Sequence, residues 1–159
     1  MQPTVKAEQL FDVRGHGDLV TGAASGIGLA MAEGMAANGA RVTLLDVDRA
    51  KLANEISRLK AEGAQVREAV VDVTDSASLR AAIDAAAAEY GRLDAVFANA
   101  GISAGPGFTL PAGELAAVAP MNRIARTDEI KGLALLLASP AASFITGTVI
   151  PIDGGATAW

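Results

Sequence analysis

From Leu19 onward, short apolar runs of strand length alternate with longer stretches whose apolar residues recur every three or four positions. That alternation is the mark of parallel strand–helix–strand units. The first strand is brief, Leu19-Val20-Thr21, and runs into a glycine-rich turn. The helix after it carries Ile27, Ala30, Met31, Gly34 and Met35 on one face, and Gly39 closes it. Arg41 to Asp46 reads as the second strand, with Val42, Leu44 and Leu45 as its apolar residues. Asp48 can cap the next helix, whose buried stripe is Leu52, Ile56 and Leu59. Val66 to Val71 forms the third strand. Asp75 then caps a helix bearing Leu79, Ala82, Ile83, Ala86 and Tyr90, which ends at Gly91. The fourth strand is Asp94 to Ala98.

The regular pattern stops there. Residues 99–112 are rich in glycine and proline and read as loop. A helical turn fits Glu114 to Val118, and Ala119-Pro120 breaks it. Thr127 is placed to cap a further helix, with Asp128 and Glu129 in its first turn and Ile130, Leu133, Ala134 and Leu137 on its apolar face. After Ser139-Pro140, a last apolar run from Thr148 to Ile152 ends at Asp153-Gly154-Gly155. Residues 1–14 read as an N-terminal arm and residues 15–159 as a single domain. A charged Asp18 is costly to bury in a central strand, so the first strand is expected to begin at Leu19, with His16 in a surface loop.

Composition narrows the function. A chain of 159 residues, 51% hydrophobic and 19% charged, suits one globular core. The net charge of -5, without a basic cluster, argues against nucleic acid as a partner. There are no cysteines, which excludes disulfides and thiolate chemistry, and a single histidine points to no metal site. The stretch MQPTVKAEQLFDVRG lacks the apolar centre of a signal peptide, and no apolar run is long enough to span a bilayer. The expectation is a cytoplasmic protein with no membrane partner.

The chemistry sits in Thr21-Gly22-Ala23-Ala24-Ser25-Gly26-Ile27-Gly28, between a strand and a helix. Glycines there let the backbone turn tightly and approach a diphosphate, while the helix start offers free N–H groups and a positive dipole end. Asp46 follows Gly28 by 18 residues at the end of the next strand, near the spacing of a ribose-binding carboxylate. Such a carboxylate accepts hydrogen bonds from ribose hydroxyls and repels the extra phosphate of NADP. Neither Val47 nor Ser25 is basic, so NAD is favoured over NADP. Asp46 can instead serve only to end a strand or cap a helix, although Asp48 is the better cap.

Taken together, TGAASGIG, LLDVD, VDVTD, NAG and the terminal VIPIDGG resemble the short-chain dehydrogenase/reductase family over nearly the whole chain. The resemblance implies that Asp72 and Val73 contact adenine. It implies that Asn99, Ala100 and Gly101 line the cofactor cleft after the fourth strand. It also implies hydride transfer between an alcohol and a ketone, carried out by a serine and by a tyrosine with a lysine four residues later. That set is missing. The one tyrosine, Tyr90, is followed four residues on by Asp94, and none of Lys6, Lys51, Lys60 and Lys131 has a tyrosine four residues before it. Tyr90 is expected in the core. Ser103 follows NAG too early to match the family serine, and Pro106-Gly107 reads as loop.

By the same resemblance, the chain passes near 118–120 from the loop after the fourth strand to the approach to the family's last helix. The catalytic segment and two strands are skipped. The expected fold is a shortened, Rossmann-like, doubly wound α/β domain. Its order would be 3-2-1-4-7 if the 127–138 helix crosses back and Thr148 to Ile152 pairs beside the fourth strand, with Pro151 suited to that edge. The lost helices carry the family's main dimer interface, which argues against a family-like tetramer. Three functions compete: a non-catalytic NAD-binding protein, an active oxidoreductase of which this chain is an incomplete part, and an interaction or structural protein.

Overall fold

A computed structural model describes residues 4–102 and 111–158. Four parallel strands form one sheet: β1 (Gly17–Thr21), β2 (Arg41–Asp46), β3 (Val66–Val70) and β4 (Ala95–Phe97), in the order β3-β2-β1-β4. The described helices are α1 (Ala7–Leu10), α2 (Gly26–Ala37), α3 (Arg49–Ala61), α4 (Ser76–Tyr90), α5 (Ala112–Val118) and α6 (Lys131–Ala138). No described helix is long and apolar enough to cross a membrane.

Alternation along β1 and β2 supplies both faces of the sheet. Val20, Val42 and Leu44 pack with Ala32 and Met35 of α2 and with Leu52, Ile56 and Leu59 of α3. Leu19 and Leu45 point the other way, against Ala86, Leu79 and Ile83 of α4. Two helices on one face and one on the other make the doubly wound arrangement expected from the pattern. Asp48 caps α3 by accepting the Lys51 N–H at 3.1 Å, and Asp75 caps α4 through the N–H groups of Ala77 and Ser78. Gly91 stops α4 in the left-handed region, at φ 69°. Tyr90, expected in the core, is only half-buried and lies outside both core clusters, its ring 5.0 Å from the Arg41 guanidinium.

Four further expectations need correction. Thr148 to Ile152 forms no strand, and Val149 lies 89% exposed, so the fifth strand beside β4 does not form. The reason lies in α6. It packs on α2, where Gly34 lets Lys131 approach closely and Glu33 accepts from Lys131 Nζ at 2.8 Å, and so it does not bridge from β4. Thr127 does not cap a continuous helix. A 3₁₀ turn, Thr127–Ile130, comes first, and its N-cap is Arg126, whose N–H donates to Glu129 Oε2 at 2.7 Å. Ile27 is half-exposed and faces away from the core, because the close packing of α2 is made by Gly28, Ala32 and Met35. Finally, β1 begins at Gly17, which places Asp18 inside the sheet with no solvent exposure. Ser103 and Pro106-Gly107 lie outside the described residues.

Asp18 is an electrostatic cost to the fold. Neither of its carboxylate oxygens makes a hydrogen bond of ordinary geometry. Burial, with the Asp94 charge beside it, pushes its carboxyl up to about 7, and the Ala95 amide and Arg92 charge offset this only in part. The unfolded side chain ionises near 3.8. Between those two values the folded chain holds more protons than the unfolded one, so stability falls as pH rises through that window and then levels off. Asp18→Asn removes the cost of ionisation. In EDTA-containing buffer at pH 8 it is expected to unfold at a higher temperature than the parent chain, with the gap closing toward pH 4. Equal thermal midpoints at pH 8 would contradict this account.

Candidate functional site

A cleft of about 760 Å³ opens at the carboxyl ends of the strands, where the β1–α2 turn meets the segments after β2, β3 and β4. Gly22, Ser25, Asp46, Asp72, Val73, Asn99, Ala100 and Gly101 line it, which gathers eight of the residues expected from sequence. Val47, Thr74 and Ile102 line it as well. In open α/β sheets this is where ligands bind, outside the strand ends at the point where the strand order reverses. Here the reversal falls between β1 and β4.

Thr21 works underneath the cleft. Its hydroxyl oxygen accepts the N–H of Asn99 at 3.0 Å and of Ala100 at 2.9 Å. Asn99 returns the contact, donating from Nδ2 to the Thr21 carbonyl at 3.1 Å and the Gly22 carbonyl at 3.4 Å. The turn after β1 and the segment after β4 are thereby clasped together. Gly28 completes the junction, since a Cβ there would stand 2.2 Å from the Gly22 carbonyl oxygen and 2.5 Å from Asn99 Nδ2. Gly22 and Gly26 sit at positive φ, 66° and 60°, as the tight turn requires. Ser25 begins α2 without using its side chain as a cap, so the first amides of the helix remain available at the cleft edge.

Asp46 ends β2 with its carboxylate fixed by backbone. Oδ2 accepts the Ala24 N–H and Oδ1 the Asp48 N–H, each at 3.0 Å. Each oxygen keeps a further acceptor position for a ligand hydroxyl. Asp46 does not cap α3, a role that belongs to Asp48. Asp72 Oδ1 accepts from the N–H and hydroxyl of Thr74, and those bonds hold its carboxyl below the ordinary carboxylate range. The part played by Thr74 was not legible in the sequence, where it reads as an ordinary turn residue. Thr21, expected from sequence as a binding residue of the turn, instead lies buried beneath the cleft and not along its wall.

The sequence-expected join has its own arrangement. Asp153 closes the terminal turn by accepting from Gly155 and Thr157, and the Met121 N–H donates to the Gly154 carbonyl at 3.1 Å. A recess of about 650 Å³ lies between these segments, with Val118, Met121, Ile124 and Ile152 among its walls.

Comparisons with known proteins agree with this geometry. The short chain dehydrogenase family model matches residues 18–130, and the Enoyl-(Acyl carrier protein) reductase model matches residues 104–157. The chain is 40% identical over 107 residues to a 1-deoxy-11-beta-hydroxypentalenate dehydrogenase of Streptomyces avermitilis, covering 65% of this chain and 40% of that protein. It is 42% identical over 95 residues to a D-threitol dehydrogenase of Mycolicibacterium smegmatis, covering 58% and 36%. The chain thus spans about two fifths of the length of the curated relatives it matches. Its fold is similar to that of a gluconate 5-dehydrogenase from Burkholderia cenocepacia J2315 in complex with NADP and tartrate, with a TM-score of 0.84 and 22% identity over 97% of this chain and 100% of that one.

The Gly28 contact makes a direct prediction. Gly28→Ala overfills the junction, at a cost of roughly 1–3 kcal/mol or more, and should lower the urea midpoint. Gly101→Ala, where the nearest atom to a new Cβ is 3.9 Å away, should leave the midpoint unchanged. If urea denaturation finds the two variants equally stable, the junction is not the constraint described.

Proposed function

The chain belongs to the short-chain dehydrogenase family, and from that premise we propose that it binds NAD(H) in the cleft beside Asp46 without itself catalysing the family's hydride transfer. The observation that carries this reading is Asp46, held by the Ala24 and Asp48 amides with acceptor capacity to spare at the cleft. The open amides at the start of α2 would take the diphosphate, and Asp46 the adenosine ribose hydroxyls. Asp72 and Val73 would border the adenine, while Asn99, Ala100 and Gly101 would form the wall toward the nicotinamide. The cofactor, when bound, supplies the hydride-accepting ring.

The preference for NAD over NADP rests on charge. A phosphate on the ribose would meet the Asp46 carboxylate, and the exposed neighbour Val47 offers no compensating cation. The gluconate 5-dehydrogenase from Burkholderia cenocepacia, a protein of this fold, is in complex with NADP, so the fold does not exclude NADP and the preference proposed for this chain rests on its local residues. The lack of catalysis rests on the tyrosine–lysine pair. Tyr90, the only tyrosine, is half-buried below the amino end of β1, with its hydroxyl 3.4 Å from Thr43 Oγ1. It has no access to the cleft. A second reading, an active oxidoreductase of which this chain is one part, is favoured by the fraction of its relatives that the chain spans.

Fluorescence titration with NADH and NADPH, paired with an absorbance assay for reduced cofactor, separates these readings. NADH is expected to bind more tightly than NADPH, with no turnover of alcohols or ketones. Asp46→Ala should weaken NADH binding by about ten- to a hundredfold, the value of hydrogen bonds to a charged group. Equal or tighter NADPH binding would overturn the NAD assignment. Turnover would move the conclusion to the second reading, and failure to bind either dinucleotide would leave only an interaction or structural role.

A further inference from the structure

At the opposite end of the sheet from the cleft, three potential metal ligands converge. His16 precedes β1, Asp18 lies within it, and Asp94 precedes β4. One ligand atom from each falls within 4.8 Å of the other two. The backbone fixes all three. The Arg41 N–H donates to the His16 carbonyl at 2.8 Å, the Asp94 N–H donates to the Gly17 carbonyl at 2.8 Å, and Asp18 pairs in register with Ala95.

Two of these side chains have unmet capacity. His16 Nδ1 and both Asp18 oxygens are buried without a hydrogen-bond partner. Asp18 has no solvent exposure at all. Two carboxylates this close repel each other, and a buried, unpaired carboxylate is among the more expensive features a core can contain. Asp94 is already engaged: Oδ2 accepts from Gly17 N at 2.9 Å and Arg92 Nε at 2.6 Å, and Oδ1 accepts from Arg92 Nη2 at 2.6 Å. Arg92 pairs with Asp94 and offsets the charge of Asp18 only in part.

We propose that His16, Asp18 and Asp94 form a three-ligand site for a divalent transition-metal ion. A neutral imidazole and two carboxylates around a doubly charged ion sum to zero charge, which suits a site partly out of water. Imidazole nitrogen with carboxylate oxygen is a ligand set for zinc and its first-row neighbours. Ligands about 2.1 Å from a tetrahedral ion sit about 3.4 Å apart, so three groups within 4.8 Å of one another need close by at most about 1.4 Å. Asp94 opens the route from solvent, with its side chain 19% exposed and its partner Arg92 53% exposed. Water takes the fourth position. The ion braces β1 against β4 at the end where the sheet carries its buried charge, and the four-residue rise from Asp18 to Gly22 separates it from the cleft by about 13 Å.

The test uses the full chain stripped with EDTA, titrated calorimetrically with zinc chloride and melted with and without zinc at pH 7.5. One zinc ion per chain is expected, with a raised thermal midpoint. Cobalt(II) should give the visible absorption of a low-coordinate nitrogen–oxygen site. Asp18→Asn and His16→Gln should each abolish the zinc-dependent rise, whereas Arg92→Ala should tighten zinc binding by freeing Asp94. The proposal fails if zinc leaves the parent midpoint unchanged, or if Asp18→Asn gains as much as the parent. Parallel NADH titrations should be unaffected by zinc, so loss of dinucleotide binding and loss of metal binding are told apart.

Discussion

The structure depends on one close approach, between Gly28 at the start of α2, the Gly22 carbonyl and the Asn99 side chain. A hydrogen atom is the largest group that fits at position 28. With it, α2 starts directly against the strand ends, and the Thr21 hydroxyl and Asn99 amide join the two sides of the topological switch point. The order of the sheet, the opening of the cleft and the presentation of the helix amides all follow from that junction. The cleft is therefore a property of backbone packing before it is a property of side chains.

Charge then divides the two ends of β1. At its carboxyl end, the aspartate that ends β2 beside it is useful because backbone amides hold it and leave it room for hydroxyl partners. At its amino end, Asp18 sits in the same sheet with no partner and an upward-shifted carboxyl. The same residue type is satisfied by backbone amides in one place and is an electrostatic burden in the other, and hydrogen bonding makes the difference. A cation at the second place would turn the burden into a brace.

The chain also shows how a doubly wound sheet of four strands is packed. β4 stays as an outer strand without a fifth neighbour among the described residues, and Val96 is half-exposed along it. α6 adheres to α2 through Glu33, which Lys131 and Arg58 share, and not to the open edge. The terminal Asp-Gly-Gly turn docks on Met121 through a single backbone hydrogen bond. The sheet keeps its core because α2, α3 and α4 come from the local strand–helix units that surround them.

Sequence alone determined what depends on local rules. The strand–helix alternation, the caps Asp48 and Asp75, the glycine turn, and the identity of eight cleft residues were all legible, because each follows from spacing, backbone freedom or a capping side chain. Tertiary structure decided what depends on competition between distant segments. Whether Thr148 to Ile152 found a strand partner turned on where α6 packed, and no local pattern encodes that choice. Ile27 followed the helical period yet faced outward, because the glycine contact rotated α2 to bring its small residues inward. Asp18 entered the sheet against its own desolvation cost because the parallel registers of β1 with β2 and β4 bind its backbone on both sides, where the hydrogen bonds of two neighbouring strands outweigh the preference of one side chain for water.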